Sequence, residues 1–459
     1  MANSSSISWA NSGVDLHLEL DGPGGVRARI ENALRGAIRS GRLPRGTRLP
    51  ATRVLAHDLG VSRGTVLAAY TQLTAEGWLR GAQGSGTVVA AEAADSTSKA
   101  RPAPGPPRFD LRPGRPDASS FPRAEWLRAL RGALVTAPDE ALGYGDPRGR
   151  PELRDELAVY LRRARGLQVS ADNIVVTNGY SQALNLIARA FPPTRVAIEN
   201  PSMREHRGAV RAAGHELRLL PVDAQGARID KLGDAGLAVL TPNRQHPLGC
   251  RLSAERRSAL LEWARSTGGF VVEDDYDGEF RYDGHPLGAL QGLEPQSVIY
   301  AGTASKTLAP GVRLGWLAVP DELLDAVVRA KSRADVQTGA LDQLALARLL
   351  ATGGYDRHIR KMRLRYRRRR DTMLAALAKH APHLTVTGAA AGLNLLIELP
   401  DRDAERRVIE SASKRGVAIE GLLSGGFFEG KGRAGVIVGY AASPEHAYAS
   451  AVRAFSRAL

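Results

Sequence analysis

The chain has 459 residues, 43% of them apolar, 24% charged and 5% aromatic, proportions ordinary for a globular protein with a large core in two or three domains. Its one cysteine, Cys250, excludes an internal disulfide and a thiolate metal cluster and fits a reducing cytoplasm. The formal charge of +15 is mostly arginine, which suits phosphate recognition, although a G+C-rich coding bias accounts for part of the excess.

The N-terminal stretch lacks a basic start followed by an apolar core, and no uncharged apolar run approaches the ~20 residues of a bilayer span. A cytoplasmic location is expected. From residue 26 the run "VRARIENALRGAIRSGRL" predicts an amphipathic helix with Ile30, Leu34 and Ile38 on one face, ended by Pro44 and Gly46. "TRVLAHDLG" predicts a short second helix, with Gly60 at a sharp turn. "VSRGTVLAAYTQLTAEG" predicts a third, capped by Ser62 and packing through Val66, Tyr70 and Leu73. "WLRGAQGSGTVVA" then reads as two strands about a glycine-rich tip. Residues 1–90 hold ten arginines, no lysine and six acids, which leaves +4.

Together "LPRGTRLPATRVLAHDLGVSRGTVLAAYTQLTAEGWLRGAQGSGTVVA" resembles the winged helix-turn-helix of the GntR family. The resemblance implies contacts to double-stranded DNA from Arg53, Ser62, Arg63 and Thr65, with the wing around Gly84 in the minor groove. The physics agrees: Ser62, Arg63 and Thr65 crowd the first turn of the third helix, where free amides and the positive dipole end favour phosphate.

"AEAADSTSKARPAPGPPR" (91–108) is rich in Ala, Ser and Pro without apolar periodicity and reads as a tether. The expected domains are therefore 14–90, DNA-binding, and 109–459, with 91–108 between them. Beyond the tether, "NIVVT", "RVAIEN", "LAVLTP", "GFVVEDD" and "SVIYAG" are apolar strands alternating with helical stretches. That alternation predicts an α/β fold, a mostly parallel sheet with helices on both faces. From about residue 334 the pattern is mostly helical, with "LNLLIEL" and "GVIVGYA" as strands of a smaller α+β part.

Four features share one chemistry. "TNGYSQAL" turns from strand to helix at Gly179, Tyr180 and Ser181, offering phosphate donors. "VVEDDYDGEF" places carboxylates at a strand's carboxyl end, where open α/β sheets bind ligands. In "GTASKTLAPGVRLGW", Ser305 adjoins Lys306, a lone ammonium between apolar runs, and Arg313 follows a turn. An acid, a phosphate cradle and a lysine able to form an imine describe a pyridoxal 5'-phosphate site.

With "LRPGRPDASSFPRAEWLRAL", "YGDPRGRPELRDELAVYL" and "EDDYDGEFRYDG", residues 108 to 459 resemble fold-type I aminotransferases, and most closely the aminotransferase-like half of MocR-type regulators. The resemblance implies that Lys306 carries the cofactor as its imine. It makes Asp274 the partner of the pyridine nitrogen, with Asp275 the alternative register, and Tyr276 a donor to the phenolic oxygen. Gly179, Tyr180, Ser181, Ser305 and Arg313 would hold the phosphate. Tyr144 would reach the cofactor of a partner subunit, which implies a homodimer.

The chain departs from that pattern at three places. "PSM" replaces the usual "PGY", so Met203 stands where an aromatic ring stacks on the cofactor. "RQHPLG" replaces "HQFPTG" and brings Arg244 and His246 beside the ring, Arg244 as an effector candidate and His246 as a contact to the phenolic oxygen or effector or as a packing residue. For the arginine that grips a substrate carboxylate, "GRAGVIVGYAAS" offers only the displaced Arg433. The basic run "KMRLRYRRRRD" (361–371) reads as a solvated helix face, and the scattered histidines have no metal-ligand spacing, so no metal is expected. The expected function is a pyridoxal-phosphate-dependent transcriptional regulator that senses the cofactor or a small amine or amino acid, used for sensing rather than turnover. The alternative is an active aminotransferase carrying a DNA-binding module.

Overall fold

The computed structural model describes residues 20, 24–82, 86–91, 107–284, 287–388 and 390–459, so Gly84 and most of the expected tether lie outside the described residues. Two compact units divide the chain, one within residues 1–105 and one over 106–459.

In the first unit, the helix Val26–Arg39 buries Ile30, Leu34 and Ile38, the face its periodicity predicts. The helices Thr52–Asp58 and Arg63–Ala75 follow, the second burying Val66, Ala69, Tyr70 and Leu73. Gly60 makes the turn between them at φ +63°. The Ser62 side chain accepts from the Thr65 amide at 3.1 Å and so caps the third helix, while the two hydroxyls bond at 2.8 Å. The Tyr70 hydroxyl donates to the Pro50 carbonyl at 3.1 Å. Strands Leu79–Ala82 and Gly86–Val89 form the antiparallel wing. Ser62→Ala should lower the stability of this unit by about 1 kcal/mol, read as an earlier urea midpoint.

The second unit is built on an eight-stranded sheet. Its order is Ile174–Thr177, Gly315–Ala318, Val298–Thr303, Phe270–Asp274, Leu237–Leu240, Arg195–Asn200, Glu216–Asp223 and Gly226–Ala227. Only Gly315–Ala318 and the short Gly226–Ala227 run antiparallel to their neighbours. Alternation along each strand explains why the strands read as unbroken apolar runs. Val175, Ile299 and Leu317 pack with Ala183, Leu184 and Val327 on one face, whereas Val176, Tyr300 and Trp316 pack with Leu157, Leu161 and Leu346 on the other. Helices therefore cover both faces.

The long helix Gly354–His380 leads to an antiparallel sheet ordered Val386–Thr387, Asn394–Glu398, Gly435–Gly439 and Glu420–Gly421. Within that helix the run 361–371 differs from a uniformly solvated face. Arg369 is buried, over the Tyr448 ring, and binds Asp117 at 3.1 Å, Glu445 at 2.7 Å and the Ala441 carbonyl at 2.7 Å. Arg363 donates to the Glu279 carbonyl at 2.8 Å, whereas Arg367 and Arg368 are exposed. Part of the basic run thus holds the smaller subdomain to the rest of the unit. Among the described residues no helix is long and apolar enough to cross a membrane.

Candidate cofactor and effector site

Strands that run the same way in the large sheet end together, and their carboxyl ends surround a cavity of about 290 Å3. Glu199, Thr241, Asp274 and Thr303 come from four such ends, and Tyr180 and Ser181 from the helix that follows Ile174–Thr177. This is the place where open α/β sheets bind ligands, because side chains there escape the packed layers while the backbone stays fixed.

One end of the cavity is built for an anion. Gly179 has φ +94° and precedes the first turn of the helix Tyr180–Ala190, whose leading amides have no helical partner. A Cβ at Gly179 would sit 3.2 Å from the guanidinium of Arg313, so the positive φ and the close approach both require glycine. Arg313 is itself held at φ 52° and makes no ion pair among the described residues. Ser305 is next to it on the cavity wall, and its hydroxyl accepts from Thr303 at 2.9 Å.

Lys306 is half-buried, and its Nζ donates to the Gly114 carbonyl at 2.7 Å. Burial lowers the amine's pKa against the opposing charges of Asp277 and Asp274, which favours the neutral, nucleophilic form. The two adjacent aspartates divide cleanly. Asp275 accepts from Arg165 at 2.7 Å, Tyr300 at 2.8 Å and Asn243 at 3.1 Å, all buried and outside the cavity lining. Asp274 lines the cavity, and its Oδ1 is buried without a hydrogen-bond partner. Burial and the neighbouring Asp275 hold its carboxyl well above the usual carboxylate range. An orphaned acid oxygen, an unpaired guanidinium at a helix N-terminus and a lysine amine on one cavity wall fit the nitrogen, phosphate and aldehyde of pyridoxal phosphate.

Tyr276 also lines the cavity and receives a hydrogen bond from Arg244 at 3.0 Å. Arg244 lies behind it, buried, with further bonds to Asp277 at 3.2 Å and the Asn394 carbonyl at 2.7 Å. Expected as an effector contact, Arg244 instead lies outside the cavity lining and braces Tyr276, because both its terminal nitrogens are engaged by these partners, while its Nε is buried without one. His246 lines the cavity edge-on to Tyr276 and Phe427, each at 5.6 Å. Burial and Arg244 push its pKa down to about 3, so it is a neutral ring. Met203 lines the same wall.

Tyr180 is on the wall as expected, but its phenol faces Asp274 and its ring meets His206 edge-on at 4.9 Å. Two predicted residues stand apart from the cavity. Tyr144 is 92% exposed, and Arg433 is exposed and paired with Glu398 at 3.1 Å. In the first unit Arg53 and Arg63 are exposed and make no ion pair among the described residues. Ser62 and Thr65 spend their hydroxyls partly on each other.

Sequence reading missed Glu199, His206 and Glu420 on the cavity wall. Glu199 carries the same strand-end signal as Asp274, and "IEN" could have been read that way. It accepts from the Thr241 amide at 3.1 Å, and burial raises its carboxyl to about 7. Glu420 gives no sequence signal, since it reaches the cavity only because the smaller subdomain folds over it.

Residues 115–457 match the family of aminotransferases class I and II, and residues 26–89 match the bacterial regulatory proteins of the gntR family. The chain is 33% identical to the probable rhizopine catabolism regulatory protein MocR of Rhizobium meliloti, over 93% of this chain and 92% of that one. It is 33% identical to the HTH-type pyridoxine biosynthesis transcriptional regulator PdxR of Corynebacterium glutamicum, over 87% of this chain and 88% of the other. A crystal structure of an archaeal alanine:glyoxylate aminotransferase superposes with a TM-score of 0.70 at 30% identity, over 76% of this chain and 89% of that chain.

Proposed function

The chain belongs to the aminotransferase class I and II family and carries a gntR-type head, the composition of the MocR- and PdxR-type transcriptional regulators, and on that premise we propose that it regulates transcription by binding double-stranded DNA through the head and sensing pyridoxal phosphate or an amine in the large unit. The observation that carries this reading is the single cavity shared by Lys306, the partnerless Asp274 oxygen and the unpaired Arg313. Arg313, Ser305, Ser181 and the amides at Tyr180 would hold the phosphate, Asp274 the ring nitrogen, and Tyr276 the phenolic oxygen. When bound, pyridoxal phosphate supplies an aldehyde that an amine can capture and a ring that withdraws electrons.

The protein's own share is orientation and charge. Arg244 donates to the Tyr276 hydroxyl, and the neutral His246 and Met203 line the cavity, where they would pack against a flat ring. A working aminotransferase remains the second reading, and the expected arginine for a substrate carboxylate is turned away at Arg433. Homodimerisation is supported by exposed apolar side chains on one stretch of the large unit, Leu134 and Val135 near the end of a helix and Leu142 and Tyr144 just beyond it. A second copy covering them would bring the partner's Tyr144 toward the cofactor.

The test is operator binding by the full-length protein, measured without cofactor, with cofactor, and with cofactor plus a panel of amines. A ligand can change DNA affinity only if it binds two arrangements unequally, so a DNA affinity indifferent to every addition would remove the sensing role. Arg63→Ala should weaken operator binding by about 1–3 kcal/mol if the side chain reads a base edge. An unchanged footprint and affinity would count against that placement.

A further inference from the structure

The cavity also carries information about which effector it accepts. Among its described lining residues the basic side chains other than histidine are Lys306 and Arg313, and both belong to the cofactor's aldehyde and phosphate ends under the reading above. His206 and His246 are neutral there, with pKa values lowered by burial to about 4 and about 3. The carboxyl groups left on the wall, once Asp274 is assigned to the ring nitrogen, are Glu199, which burial raises to about 7, and Glu420.

Glu420 sits on the short strand Glu420–Gly421, directly opposite Ile437 of Gly435–Gly439. Directly opposed residues of an antiparallel pair project from the same face. Ile437 is fully buried and packs with Leu248, Leu396, Leu422 and Phe427, with Met203 against the same cluster. The smaller subdomain therefore presents one carboxylate backed by hydrocarbon, with no guanidinium. Burial, and then the negative charge of Glu205 at the start of its helix, raise the Glu420 carboxyl above its ordinary value, so a cation brought beside it would be held by drawing it into its ionised form. Arg112 and Arg115 lie near enough to oppose it, and the charge of Arg115 also reaches the Lys306 amine, but both guanidiniums are engaged by Asp110, Arg112 at 2.7 and 2.9 Å and Arg115 at 3.2 Å, and neither lines the cavity.

A carboxylate-bearing effector would set its charge beside Glu420 with no lining guanidinium except the Arg313 assigned to the phosphate, which is costly. A cationic end would meet an acid already there. We propose that the effector of this site is a primary amine bearing a second positive charge and no free carboxylate, with Glu420 binding the distal cation. One amine faces Lys306 and the cofactor, and the alkyl chain between the two charges lies along Met203 and its apolar neighbours.

This inference rests on the cofactor reading above, and the experiment separates the two. Full-length protein saturated with pyridoxal phosphate in an amine-free buffer is titrated with 1,4-diaminobutane, 4-aminobutanoate and L-alanine. The visible absorbance and the heat of binding are both followed. The diamine should bind about tenfold or more tightly than either amino acid, the range of a charge-assisted hydrogen bond. Glu420→Gln should erase that preference while the cofactor's absorbance stays, and Glu420→Lys should shift preference to 4-aminobutanoate. Equal or tighter binding of 4-aminobutanoate to the wild type, or an unchanged diamine affinity in Glu420→Gln, overturns the inference and leaves the cofactor reading standing. A wild-type protein that never takes up the cofactor's visible absorbance overturns both.

Discussion

Lys306→Ala should leave a protein with no visible absorbance after incubation with pyridoxal phosphate and removal of the unbound cofactor, whereas the wild type treated alike should be yellow. The expectation is complete loss, because no other lysine lines the cavity among the described residues. The amine is suited to covalent capture for a physical reason. It makes a single hydrogen bond, to the Gly114 carbonyl at 2.7 Å, and burial favours its neutral form. Lys306→Arg keeps a cation but cannot condense with an aldehyde, so it too should be colourless. Borohydride should fix the cofactor irreversibly on the wild type, with the added mass on the peptide containing Lys306. Retained colour in Lys306→Ala, or a mass addition elsewhere, would refute the assignment. Because that amine has one polar partner, the variant should unfold at nearly the wild-type denaturant concentration, so loss of colour will not reflect loss of fold.

Asp274→Ala and Asp275→Ala should fail in opposite ways. Asp275 is the acceptor for Arg165, and both side chains are nearly inaccessible, at 2% and 5% exposure. Removing it leaves a buried guanidinium without its counter-charge, a change that typically costs about 3–5 kcal/mol. Tyr300 and Asn243 lose a partner as well. Asp275→Ala should therefore show a sharply lower unfolding midpoint. Asp274 has a buried oxygen with nothing bound to it, so Asp274→Ala should cost little stability. Its loss should appear in cofactor affinity, about tenfold or more weaker for want of a charge-assisted contact to the ring nitrogen. Denaturant unfolding and cofactor titration of both variants decide the matter. The reverse pattern, a stable Asp275→Ala that cannot hold cofactor, would exchange the two roles.

The DNA-binding head was legible almost residue by residue. Ile30, Leu34, Ile38, Val66, Tyr70 and Leu73 are read from a 3.6-residue period and are buried, and Ser62 caps the helix it was expected to cap. Such features depend on neighbours a few positions away, which the sequence displays directly. The strands of the large sheet were legible for a related reason: burial on both faces leaves an unbroken apolar run.

Within the cavity the limits are equally specific. Lys306, Asp274, Ser305 and Arg313 could be picked out because strand ends and glycine turns announce them locally. Whether Asp274 or Asp275 lines the cavity could not be read from the chain, because adjacent residues at a strand end point to opposite faces and register alone decides which is which. Arg244 was expected to meet an effector and instead braces Tyr276, since its partners Asp277 and Asn394 meet it only in the folded chain. Glu420 was invisible for the same reason.

What the sequence determined by itself was the inventory: a winged head, a sheet with its ligand-binding edge, and one lysine without an evident counter-charge. What only the tertiary structure decided was the company each polar group keeps, Asp275 with Arg165, one oxygen of Asp274 with nothing, and Glu420 opposite Ile437 on the wall of the cavity that Lys306 also lines. Helical and strand periods are set by bonds between near neighbours, so they are written along the chain. Charge pairing in a buried site depends on which distant segments share a few ångströms of low-dielectric space, and that is settled only when the sheet and the smaller subdomain have packed.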